Sequence, residues 1–126
     1  MGKVRILTAI VFFLFTLVAS AQSTVSNPRF VVFTPSIDHD VLTSYEIAYF
    51  APGATDPVST PIDIGKPAPD ANNQCRAQIN VRPIPFGLGY VAKIRAKTAD
   101  VIGDWSEPSN PFDRRPGPPT NLNTTK

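Results

Sequence analysis

The chain has 126 residues, 12 Lys and Arg, 10 Asp and Glu, one Cys and 14 Pro. That length suits one modest domain, and a single Cys excludes both an internal disulfide framework and a cysteine-based zinc module. A charged fraction of 17% with frequent Pro is unlike a coiled coil or a highly charged disordered tail.

In chain order, the first feature is an address. Lys3 and Arg5 precede an apolar run over residues 6–18, and Ala19-Ser20-Ala21 then offers small residues to a signal peptidase. Residues 1–21 are therefore expected to be a cleaved secretory signal peptide, which makes the protein secreted, extracellular or periplasmic. The run is shorter than the ~20 apolar residues a span needs, so no membrane span is expected after cleavage. Cleavage before Gln22 removes Lys3 and Arg5 and leaves ten basic against ten acidic side chains. A nucleic-acid partner needs a cationic surplus to displace counterions from phosphates, and the mature chain has none.

From Gln22 onward no window holds apolar residues at helical spacing. Short period-2 stretches recur between Pro, Gly, Asn and Asp, which predicts several short strands. Phe30-Val31-Val32-Phe33 is an apolar run closed by Pro35, which has no N–H for a ladder. Residues 44–50 alternate, with Tyr45, Ile47 and Tyr49 on one side and Glu46 and Ala48 on the other, until Pro52-Gly53 breaks the strand. Residues 58–70 read as a short edge strand with loops. Residues 74–82 alternate, with Cys75, Ala77, Ile79 and Val81 sharing a face. Residues 89–98 form the clearest strand: Tyr90, Ala92, Ile94 and Ala96 face in, while Lys93, Arg95 and Lys97 face out. Gly103 opens a turn before Trp105, and a last short strand is expected to end near Phe112. Six or seven strands with one-sided alternation predict an all-β sandwich over 22–113. Residues 114–126 are Pro-rich and polar, and read as a tail or linker.

Three segments resemble a fibronectin type III domain: Ile84-Pro85-Phe86-Gly87-Leu88-Gly89-Tyr90 with the alternation after it, Ser44-Tyr45-Glu46-Ile47-Ala48-Tyr49, and Gly103-Asp104-Trp105-Ser106-Glu107-Pro108-Ser109. The resemblance covers about residues 23–113 and implies an immunoglobulin-like sandwich of about seven strands. It implies a tyrosine corner at Tyr90, whose hydroxyl would return to a backbone group beside the strand. Phe33 stands where the family usually has a Trp. Trp105-Ser106-Glu107-Pro108-Ser109 also resembles the Trp-Ser-x-Trp-Ser box of cytokine-receptor type III domains, with Pro108 in place of the second Trp. That resemblance implies a cation over the indole, and Arg95 is the expected partner. The structural residues expected from these patterns are Phe33, Tyr45, Ile47, Tyr90, Ile94 and Trp105.

Candidate binding residues are Asp38, His39 and Asp40 in the loop after the Phe30–Phe33 strand, and Lys93, Arg95 and Trp105 on the outward face. The Pro-rich segment 51–70 is a further contact candidate. Asp38, His39 and Asp40 have metal-ligand chemistry, but neighbours on an extended loop diverge and His39 is the sole His, so a solvated turn is expected and no metal. Cys75 falls on the inward face and His39 is the one available base, so no Cys–His catalytic pair is expected. No hydrolase elbow, zinc-protease helix, phosphate loop or dinucleotide fingerprint is present. The sequence thus predicts a non-catalytic, cofactor-free, monomeric module for interaction, adhesion or spacing, with an extracellular protein or glycan as its partner. The competing expectation is an accessory carbohydrate-binding module of a secreted polysaccharide-degrading system. It would use Trp105, Phe86 and an outward Phe30 or Phe50 as its sugar platform.

Overall fold

The computed structural model describes residues 24–126, so the expected signal peptide lies outside the described residues. Among the described residues, the chain forms β1 (Val25–Ser26), β2 (Phe30–Phe33), a 3-10 turn (His39–Val41), β3 (Ser44–Phe50), β4 (Ile62–Gly65), β5 (Cys75–Gln78), β6 (Gly87–Lys97) and β7 (Phe112–Arg114). Five strands make a mixed sheet in the order β1-β7-β6-β3-β4, and β2 with β5 makes a second, antiparallel sheet. The mixed character comes from β1, which runs parallel to β7. The architecture is all-β and sandwich-like. No helix among the described residues is long and apolar enough to cross a membrane.

The alternating stretches meet where their apolar sides coincide. β3 and β6 pair from Ser44↔Lys97 to Phe50↔Val91. That register sets Tyr45, Ile47 and Tyr49 beside Ala96, Ile94 and Ala92 on one face of the sheet. Tyr45, Ile47, Tyr49, Ala92 and Ile94, with Tyr90, Val81, Ile84 and Phe112, form the core cluster, and Ala96 of β6 and Val31 and Phe33 of β2 pack against it. Burying one such large side chain contributes ~1.5–3 kcal/mol. β5 adds Cys75 and Ala77, both buried, while Arg76 and Gln78 alternate outward. β4 is an edge strand of the larger sheet, as residues 58–70 suggest.

The corner before β6 is built around Tyr90. Its hydroxyl donates to the Pro85 carbonyl at 2.9 Å. The ring lies so close to Gly87 that a Cβ there would sit 2.9 Å from the hydroxyl oxygen. Between Gly87 and Tyr90 the pairing with β7 slips, and Gly89 turns through φ +76, a conformation that favours glycine.

The structure corrects three strand-level expectations and adds one strand. The last strand begins at Phe112 instead of ending there, because the preceding 105–109 segment bonds to β6 through a looser pattern described below. The strand within 74–82 stops at Gln78, where the chain leaves β2 behind and turns through Asn80, whose side chain accepts from the Arg82 N–H at 3.0 Å. β1 carries no sequence signal and exists through pairing with β7. Phe50 lies on the outward face but is not an exposed aromatic: it is 0% exposed, covered by Trp105 and by the Lys93 ammonium 4.6 Å from its ring centroid.

Candidate functional site

Strand direction sorts the loops into two ends. β2 finishes and β3 starts at one end, and the pairing Ser44↔Lys97 brings the end of β6 there too. The 34–43 and 98–104 loops therefore sit side by side, joined by the Thr43 N–H donating to the Lys97 carbonyl at 2.9 Å. An open groove of about 510 Å³ runs between them, lined by Phe33, Val41, Leu42, Tyr45, Ile94 and Val101, with Asp38 and Asp104 at its rim. Four aliphatic side chains stand out around it: Ile37 is 100% exposed, Val41 75%, Val101 65% and Ile102 57%.

The loops are tightly tied, so these side chains are presented on a fixed frame. The Ser36 N–H donates to the Tyr45 hydroxyl at 3.1 Å, and His39 Nδ1 lies 2.8 Å from the same oxygen. Phe33 meets the Tyr45 ring edge-on at 4.9 Å, and the His39 ring stacks on it at 5.8 Å. His39 is thus engaged with Tyr45, and burial raises the Tyr45 phenol above its ordinary 10.0. Asp38 and Asp40 do not converge with it: among the described residues, no group of three or more His, Cys, Asp or Glu is placed to hold a metal ion. In the second loop the Thr98 hydroxyl accepts from the Val101 N–H at 3.1 Å, and the Gly103 N–H donates to the Ala96 carbonyl at 2.8 Å.

The outward face of β3 and β6 carries the other candidates. The Arg95 guanidinium lies 4.2 Å from the Trp105 ring centroid, and Trp105 meets Phe50 edge-on at 5.5 Å. Behind Trp105, the Ser106 N–H donates to the Ile94 carbonyl at 2.7 Å and the Ser109 N–H to the Ala92 carbonyl at 2.9 Å. Their hydroxyls accept from the Ile94 and Ala92 N–H groups at 3.0 and 2.9 Å. The Ser pair thereby completes the free edge of β6 where no regular strand lies. Arg95 reaches Glu46 at 2.8 Å, and Lys97 reaches both Glu46 and Asp63 at 3.0 Å. The Lys97 hydrogen bond, more than burial opposes, holds the Glu46 and Asp63 carboxyls below their ordinary values, and the Asp63 hydrogen bond raises Lys97. Arg95 and Lys97 are therefore matched by acids within their own sheet.

The opposite end holds a polar cleft of about 650 Å³ that no sequence motif marks. Arg29, Arg82, Arg114 and Arg115 line it, with Asn27 and Phe86. Asn27 clamps the segment after β1 to the end of β7: its backbone N–H donates to the Asp113 carbonyl at 2.8 Å, and its side-chain carbonyl accepts from the Arg115 N–H at 3.0 Å. Arg114 donates to the Val81 carbonyl at 3.2 Å and lies 4.6 Å from the Phe86 centroid. Arg115 pairs with Asp113 at 2.9 Å. Thus Arg114 and Arg115 belong to the folded body, and the extended segment begins at Pro116.

Cys75 is buried, and its thiol donates to the Pro67 carbonyl at 3.3 Å; burial pushes its pKa up, away from the reactive thiolate. Comparison with known proteins found no matching family model, no matching curated protein and no matching solved structure. Sequence reasoning missed the apolar loop tips. Their signal was the aliphatic letters of Ile37, Val41, Val101 and Ile102 inside turn-forming contexts, where polar residues are usual.

Proposed function

We infer that the chain is a secreted or envelope-exposed, non-catalytic module of fibronectin type III-like build that acts in interaction or spacing through the loops at one end. The observation that carries this is the set of Ile37, Val41, Val101 and Ile102, all exposed on the two hydrogen-bonded loops that flank an apolar groove, which Val41 and Val101 line. Exposed aliphatic side chains grouped on a rigid frame are a binding surface in the making, because covering them removes apolar area from water. The type III-like build is supported by the sheet order and by the Tyr90–Pro85 bond at the corner before β6.

The glycan-platform reading has less behind it. Phe50 is buried, Phe30 and Phe86 line different cavities, and Trp105 lies on a third surface under Arg95. A sugar stack needs coplanar neighbouring rings. The test of the interaction reading is retention of the exported protein on the surface of the producing cell. Ile37→Asp with Val101→Asp is expected to release the protein into the medium while its unfolding midpoint stays unchanged. Equal retention of the variant and the parent would remove the loop end from the function. Mass spectrometry of the same sample should find a mature N-terminus at Gln22; an unprocessed N-terminus would rule out export by cleavage.

A further inference from the structure

The formally neutral mature chain is not evenly neutral. At the loop end, Asp38 and Asp104 rim the groove, and Asp40 and Asp100 lie in the same two loops. Three cations are nearby, and two of them, Arg95 and Lys97, line the groove. Arg95 is paired with Glu46 at 2.8 Å. Lys97 is matched by Glu46 and Asp63, and Lys66 is hydrogen-bonded to the Leu42 carbonyl at 3.2 Å. At the opposite end, four arginines line one cleft, and its one acid in contact, Asp113, is paired with Arg115. Among the described residues, the Arg29 and Arg82 side chains have no ion-pair partner and are exposed. The arginine end also carries exposed apolar surface, with Phe86 at 59% and Leu88 at 62%. Each end is therefore apolar, and the two ends are opposite in charge.

We propose that copies of this chain associate head to tail, the arginine end of one copy seated on the acid-rimmed apolar groove of the next. Charge complementarity selects this pairing. Loop end against loop end would set Asp38, Asp40, Asp100 and Asp104 against themselves, and arginine end against arginine end would do the same with four guanidiniums. Like charges across an interface are strongly unfavourable, whereas opposite ones steer encounter and fix orientation. Because the two contacting patches differ, the contact is heterologous and repeats, giving an open chain of copies or a ring. This names a second copy as an occupant of the loop end proposed above to bind, and so rests on that reading. Cell retention tests that reading separately, since a strictly monomeric protein could still be held by a foreign partner.

The experiment is analytical ultracentrifugation of the mature protein with two charge-reversed forms. One carries Arg29→Glu and Arg82→Glu; the other carries Asp38→Lys and Asp104→Lys. None of these four side chains makes a hydrogen bond or ion pair that holds the fold among the described residues, and a melting curve of each form confirms that it is folded. The parent is expected to show an average mass that rises with concentration in dilute salt. That mass should fall back towards the monomer near 1 M salt, where charges are screened beyond ~3 Å. Each reversed form alone should associate roughly a hundredfold more weakly or worse. An equimolar mixture of the two should regain association, because each acidic end then finds a basic one. A parent that stays monomeric at millimolar concentration in dilute salt would overturn the proposal. So would reversed forms that associate as well as the parent, or a mixture that does no better than its components.

Discussion

Single residues set the corner, the thiol and the edge of β6. Tyr90 satisfies its hydroxyl on the Pro85 carbonyl at 2.9 Å, so Tyr90→Phe should lower the unfolding free energy in urea by ~0.5–1.5 kcal/mol. Gly87→Ala should cost more than Tyr90→Phe, since its Cβ would stand 2.9 Å from the hydroxyl oxygen and 3.1 Å from a ring carbon, and the core ring would have to move. The order of these two losses tests whether the corner is held by packing as well as by its hydrogen bond. Cys75 should resist a thiol reagent in the native protein and react promptly after unfolding; rapid native labelling would contradict its burial. At the free edge of β6, Ser106→Ala and Ser109→Ala each remove the acceptor of a partly buried N–H. Leaving such a donor unsatisfied costs about 1–3 kcal/mol, and a measured loss below that range would mean the edge is otherwise satisfied.

At the scale of elements, β3 and β6 are the paired centre of the larger sheet, and both of their faces are occupied. One face meets β2 and β5 in the core. The other carries Glu46, Arg95, Lys97, Phe50 and Trp105 in a continuous layer. The alternation of Lys93, Arg95 and Lys97 was legible in the sequence, and so was the choice of Arg95 for Trp105. The acids that match them were not, because Glu46 comes from β3 and Asp63 from β4, and strand pairing alone brings them together. A double-mutant cycle on Arg95→Ala and Trp105→Ala should give a coupling of ~0.5–2 kcal/mol, as expected for a guanidinium over a partly covered indole. A coupling indistinguishable from zero would make the contact incidental.

At the scale of the whole molecule, acid pH should loosen the fold. Glu46, Asp63 and Asp113 all have folded-state pKa values below the ordinary 4.5 for Glu and 3.8 for Asp. For Glu46 and Asp63 the leading cause is the Lys97 hydrogen bond; for Asp113 it is the Gly89 N–H, at 3.0 Å. The unfolded chain takes up protons first as pH falls, so this stabilisation is complete above those ordinary values and is lost below them. The urea midpoint should therefore be flat from neutrality to about pH 5 and decline below ~4.5, and Glu46→Gln should reduce that decline. An undiminished decline in the variant would place the acid sensitivity elsewhere. Local sequence determined most of the strands and their inward residues, which rest on a period of two and on Pro or Gly breaks. The Tyr90 corner and the Arg95–Trp105 contact were expected from the resemblance of their segments to type III domains, and both contacts are present. Tertiary structure alone decided the pairing of β1 with β7, the burial of Phe50, the apolar groove between two loops, and the gathering of Arg29, Arg82, Arg114 and Arg115 at one end. These features join residues tens of positions apart, and no local preference of the chain records which distant segment a sheet will bring beside it.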